Sequence, residues 1–199
     1  MPPAKSVPPE PGDTRRRSEP ARAAILAASW ELFAELGLRD LTIEAIANRA
    51  GVGKTTIYRW WPTKAAVVLD ALHGHFNTTI GFPDTGSARE DLRRQLRSVI
   101  KLLGTSPGKA YLALIAESQH DPALATALAE RYIAARRSAA TDVIDRGIAR
   151  GELRAGLDPA AAIDLLYGAL YYRLLVSHDP PTPSYADTLI EQTFQGFNA

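Results

Sequence analysis

The 199-residue chain has no cysteine, which excludes disulfides, thiolate metal sites and cysteine nucleophiles. It has no marked excess of charge either: 23 Lys and Arg stand against 22 Asp and Glu, too even a balance for a large positive field. The small surplus is uneven, with ten basic against seven acidic residues through Lys64 and thirteen against fifteen beyond it. Long apolar runs are missing too. The stretch 23–36 is interrupted by Glu31 and Glu35, so it reads neither as a membrane span nor as the apolar part of a twin-arginine signal behind Arg15, Arg16 and Arg17. A cytoplasmic protein without membrane contact is expected. No strand-like alternation, nucleophile–base signature or recognisable acid pair occurs, so no enzyme, catalytic residue or cofactor is expected. His73 and His75 diverge on a helix and make a poor metal pair, so no metal site is assigned.

The chain does contain an eleven-residue segment, Gly51 to Trp61, that suits two chemistries. Gly53-Lys54-Thr55 could close a phosphate-cradling loop, but such a loop needs a glycine five residues earlier, where Asn48 stands. It must also follow a buried strand, whereas Ile43, Ile46, Ala47 and Ala50 recur at three- and four-residue intervals, which is a helix face. The spacing therefore predicts a helix over 43–50 capped by Thr42, a turn at Gly51 in left-handed backbone, and a second short helix from Gly53 to about Trp60. Ala47 on the first helix and Ile57 on the second have the sizes a close crossing needs, and Val52 plugs the turn. Two such helices form a helix-turn-helix.

The second helix is too polar to be merely structural. Lys54, Thr55, Thr56, Tyr58 and Arg59 surround Ile57, its main apolar anchor. Hydroxyls of Thr55, Thr56 and Tyr58 suit phosphate oxygens, and Arg59 suits a guanine edge. Trp60 is placed at the end of this face and Trp61 in the core behind it. A solvated polar face is the alternative reading.

Thr42-Ile43-Glu44-Ala45-Ile46-Ala47, Ala50-Gly51-Val52, Lys54-Thr55-Thr56-Ile57-Tyr58, Trp61-Pro62 and Thr63-Lys64-Ala65-Ala66 together resemble the TetR family of bacterial repressors over roughly fifty residues. Gly53 departs from the family's usual serine cap, at a cost of a few tenths of a kcal/mol. The resemblance implies an all-α protein with a three-helix DNA-binding domain at 18–64 and a helical effector-binding and dimerisation domain at 65–199. The DNA-binding residues expected from the polar face and the helix ends are Thr42, Lys54, Thr55, Thr56, Tyr58, Arg59, Trp60 and Lys64, the last holding a phosphate from the start of its helix. The resemblance also implies as partners a palindromic double-stranded operator, a second copy of the chain and a small-molecule effector. A DNA-binding protein of the same fold that is architectural or protein-regulated, without an effector, is the runner-up.

Outside the motif, residues 1–17 carry five prolines and few apolar side chains, as expected for an extended, disordered tail, with Arg15 to Arg17 suited to phosphates or a minor groove, or equally to a solvated flank. Helices are expected over 23–36, from Thr63 onward, and near 88–103, 107–119, 122–150, 158–177 and 184–197, with a loop at 81–86. Leucines and tyrosines from Ile163 to Val176 cover more than one face of their helix, more than one domain core could hide. A homodimer through the last two helices is therefore expected. Phe76, Leu103, Tyr111, Ile115, Glu117, Tyr167 and Tyr171 are the candidate effector-pocket residues, with ordinary core packing as the alternative. Arg173 is expected to pair with an acid such as Glu117 or across the dimer.

Overall fold

The computed structural model describes residues 11–197, and the side chains of 19–196. Ten α-helices occur among them, with no extended strand: α1 Pro11–Asp40, α2 Ile43–Ala50, α3 Lys54–Tyr58, α4 Lys64–Thr79, α5 Ala88–Leu103, α6 Ser106–Ser118, α7 Pro122–Leu128, α8 Ala134–Ala149, α9 Pro159–Tyr171 and α10 Pro183–Phe197. No helix among the described residues is long and apolar enough to cross a membrane. The first helix differs from expectation, because residues 11–17 already belong to it instead of to an extended tail. Residues 1–10 of the expected tail, and the side chains of Arg15 to Arg17, lie outside the described set. Gly37 interrupts α1 at φ 74°, a conformation that favours glycine, as the sequence suggests for the end of that helix.

Caps place the helix starts. Side-chain oxygens of Thr42, Thr63, Ser87, Thr105, Asp121 and Asp158 accept backbone N–H groups at the starts of α2, α4, α5, α6, α7 and α9. Two of the expected long helices contain a feature that periodicity does not predict. A π-helical turn at Ala129–Ile133 joins α7 to α8, and another at Tyr172–Val176 continues α9. Each inserts an extra residue per turn and rotates the side chains that follow, a device common beside functional sites.

Helices α1, α2 and α3 form the N-terminal layer, and α4 packs along α1 and against the π turn at 129–133. Beyond it, α5 packs on α6, α8 and α10, and α9 on α8 and α10. The core is continuous from Ile25, Phe33 and Ile46, through Val67, Leu72 and Phe76 of α4, to Leu92, Leu96, Leu166 and Ile190. Gly108 allows α6 to turn tightly out of α5: a Cβ there would stand 2.1 Å from the Leu102 carbonyl oxygen.

Candidate nucleic-acid interface and internal cavity

The turn between α2 and α3 has the geometry its residues predict. Gly51 sits at φ 66°, ψ 32°, and its N–H reaches Asn48 O at 3.3 Å while Val52 N–H donates to Ala47 O at 3.0 Å. These bonds close the carbonyl end of α2 and redirect the chain. Ala47 and Ile57 are both buried where the helices cross, and Val52 packs against the same core. Gly53 caps α3 without a side-chain bond.

With Ile57 buried, α3 turns the rest of its residues outward. Thr55 is exposed, Thr56 is half-buried, and Tyr58 is 51% exposed although aromatic. Lys54 is exposed, and its ammonium donates to Glu44 of α2 at 2.7 Å. That pairing holds the Glu44 carboxyl below the usual carboxylate range and raises the lysine. Thr42, also exposed, is occupied as the α2 cap through its acceptor, which leaves its hydroxyl proton free to donate. Arg59 lies one residue past α3, with its guanidinium 5.1 Å from the Trp60 ring centroid. Trp60 is half-buried between that group and Trp61, whose ring it meets nearly at right angles. Trp61 is 1% exposed and donates from Nε1 to Asp70 of α4 at 2.7 Å.

Lys64 corrects an expectation. Its ammonium donates to the carbonyls of Leu38 at 2.6 Å, Leu41 at 2.8 Å and Arg39 at 3.4 Å, which engages all three donors. It closes the end of α1 instead of facing outward to a phosphate. The positive end of the α4 segment is thereby fastened to the three-helix layer.

A cavity of about 660 Å³, counting its open mouth, lies between α4, α5, α6, α8 and α9. Five of the expected residues, Phe76, Leu103, Tyr111, Tyr167 and Tyr171, line it. Ile115 does not; it borders a shallower outer groove that shares Tyr111 and Tyr171 with the cavity. Glu117 is exposed and lines neither, because its position on α6 points away from the bundle. Arg173 pairs with an acid as expected, but the acid is Asp179 and not Glu117, and it lies 4.4 Å over the Tyr185 ring, since the π turn aims it at the loop that follows. Tyr132, Gln95 and Arg136 also line the cavity and were not singled out in the sequence. Gln95 had a legible signal as a polar residue inside the apolar stripe Leu92, Leu96, Val99 of α5. Arg136 had none, since it looks like one of several surface arginines on α8. Burial pushes the hydroxyls of Tyr111, Tyr132, Tyr167 and Tyr171 up from their ordinary range.

Apart from Leu36 and Tyr58, the large exposed apolar side chains among the described residues are on α9 and its π extension, Leu175 among them. Leu165 is 58% exposed, Tyr172 61% and Val176 62%, in line with exposed Gly168 at three- and four-residue steps. Ile163, Leu166 and Leu170 of the same helix are buried in the core. On α10 the exposed face is polar, with Thr188, Gln192 and Gln195, while Leu189 is half-buried.

Residues 25–71 match the family model described as bacterial regulatory proteins, tetR family, and residues 82–193 match the tetracyclin repressor-like C-terminal domain. The uncharacterized HTH-type transcriptional regulator YdeS of Bacillus subtilis is 37% identical over 185 residues, 93% of each chain. The DNA-binding transcriptional repressor TetR of Mycobacteroides abscessus is 30% identical over 162 residues, 79% of this chain and 84% of that protein. A crystal structure of a TetR family transcription regulator, 36% identical, superposes with a TM-score of 0.82 and covers 91% of this chain and 100% of that one.

Proposed function

The chain belongs to the TetR family of bacterial regulatory proteins and is a DNA-binding transcriptional regulator rather than an enzyme, and from this premise we propose that it is a homodimeric repressor, released from a palindromic operator by a small molecule in the C-terminal cavity. It acts in the cytoplasm. The observation that carries the effector reading is the double attachment of α4. At one end Lys64 holds the carbonyls of Leu38 and Leu41, and at the other Phe76 lines the cavity and meets Trp30 of α1 edge-on at 5.6 Å. Between them Asp70 accepts Trp61 Nε1 and, from the π turn, Arg131 at 3.3 Å. A ligand that shifts Phe76 or the turn at 129–133 would tilt α4 and change the separation of two recognition helices in a dimer. The open cavity supports this reading over a fold-sharing protein without an effector.

At the operator, Tyr58, Thr55 and Lys54 contact phosphates, Thr42 and Thr56 adding hydroxyls, while Arg59 reads a base and Trp60 supports it. Lys54 must first leave Glu44. Operator titrations by fluorescence anisotropy across a salt series test this. Tyr58→Ala is expected to weaken binding to every sequence about equally. Lys54→Ala is expected to lower the log–log salt slope by about one per subunit. Glu44→Gln frees Lys54 and is expected to tighten binding a few-fold. Arg59→Ala is expected to relax preference at one position per half-site. Unchanged binding in both Tyr58→Ala and Lys54→Ala would remove α3 from the interface.

A further inference from the structure

Two polar groups in the cavity lining have incomplete bonding. Gln95 is 1% exposed, and its Oε1 accepts the Tyr167 hydroxyl at 2.5 Å, which leaves its Nε2 buried with no partner. A buried unpaired donor is unfavourable, and an acceptor brought by a ligand would relieve it. The second group is Arg136. It donates to Ile80 O at 2.8 Å and to Asn77 Oδ1 at 3.4 Å, and lies 5.0 Å over the Phe82 ring. Other arginines of α8 have acids, Arg137 pairing with Asp164 and Arg146 with Asp84, but among the described residues no carboxylate pairs with Arg136. Its charge nevertheless acts on the hydroxyls of Tyr111, Tyr132, Tyr167 and Tyr171, favouring the ionised form of each, so the guanidinium lies within the field of the site. A half-buried cation beside a low-dielectric cavity attracts an anion more strongly than a surface arginine does.

Much of the remaining lining is aromatic. Phe76, Tyr111 and Tyr132 meet one another edge to face, with centroids 5.3 to 5.9 Å apart. Tilted rings of this kind offer faces and edges to another ring, whereas a flexible chain gains from them only contact area.

We propose that the cavity takes a flat aromatic acid of two or three rings, whose anionic oxygen pairs with Arg136 and whose neighbouring acceptor oxygen meets Gln95 Nε2. The ring system lies against Phe76, Tyr111 and Tyr132. This assignment of ligand class rests on the reading of the cavity as the effector site, and its test separates the two.

The probe is a hydroxynaphthoic acid with carboxyl and hydroxyl on neighbouring carbons, compared with its methyl ester and with decanoic acid. Each is titrated calorimetrically into the full-length protein and its Gln95→Leu, Arg136→Lys and Arg136→Leu variants, with thermal melts to confirm folding. The acid is expected to bind about tenfold or more tightly than the ester, as a charge-assisted bond requires. Arg136→Lys keeps that preference and Arg136→Leu erases it, while Gln95→Leu weakens acid and ester alike by about tenfold. If Arg136→Leu does not fold, the acid-to-ester ratio in the unmodified protein and in Arg136→Lys decides. Equal or tighter binding of the ester, tighter binding of decanoate, or no binding of the aromatic acid up to about 1 mM overturns the proposal. Anisotropy of a labelled operator then distinguishes the readings. Acid binding without DNA release leaves the ligand class standing and removes the release mechanism; intact operator binding with no acid binding does the reverse for this site.

Discussion

Leu165→Asp combined with Val176→Asp is expected to leave a folded monomer that binds a palindromic operator about a hundredfold or more weakly than the unmodified protein. Both residues are mostly exposed in the single chain, so neither aspartate disturbs its own core. In a dimer built on α9 they would bury charge in an apolar contact, which is strongly unfavourable unless each carboxylate finds a cation. Gly168 and Tyr172 of that face supply none, and Arg173, three residues before Val176, is already bonded to Asp179. The loss of DNA affinity follows from valence, because a dimer engages its second half-site at a high effective concentration and a monomer has no second site. Sedimentation velocity at micromolar protein checks the assembly and anisotropy the DNA. A dimer that persists in the double variant would move the interface away from α9.

The second large effect is expected at Trp61. Trp61→Ala should destabilise the fold by about 3–5 kcal/mol, the usual range for emptying an aromatic core position. For a chain of this size that corresponds to a melting temperature lower by roughly 6–20 °C. The side chain is enclosed by four contacts of different kinds: the core behind it, the Trp60 ring edge, the Arg22 guanidinium 5.8 Å from its centroid, and Asp70 at its Nε1. Trp61→Phe keeps most of the packing but removes the donor and part of the ring system, so it should lose about 1–3 kcal/mol, one hydrogen bond plus a small cavity. That variant also breaks the link from α4 to the segment that follows α3. Its DNA affinity without ligand is expected to survive better than its response to ligand. A melting temperature within about 2 °C of the original for Trp61→Ala would show that the site collapses without penalty, against the range for such truncations.

These two positions differ in how far the chain announces them. The apolar surplus of α9 is visible in the sequence because hydrophobic residues occupy more of the helix circumference than one core can cover. Which of them remain outside depends on where α8 and α10 lie, and the structure selects Leu165, Tyr172, Leu175 and Val176. The placement of Trp61 behind the recognition face follows from its register with Ile57, but its bond to Asp70 crosses between elements and leaves no periodic trace.

The same division explains the corrections. Lys64 stands at a helix start, where a phosphate contact is a reasonable expectation, yet the end of α1 brings three carbonyls within its reach. Glu117 shares a helix with Tyr111 but not its face. Arg173 follows the inserted turn at 172–176, which a regular 3.6-residue period cannot anticipate.

By itself the sequence determined the all-helical class, the caps, the turn at Gly51 and the polar face of Lys54 to Arg59. Those features are set by interactions within a few residues: side-chain oxygens closing nearby N–H groups, glycine adopting positive φ, and apolar residues recurring once per turn. Only the tertiary structure decided that Lys64 is a strut, that Asp70 joins Trp61 to Arg131, and that Gln95 and Arg136 face one cavity. These contacts join residues far apart in the chain, where partner choice depends on how whole helices pack and not on the local pattern of either segment.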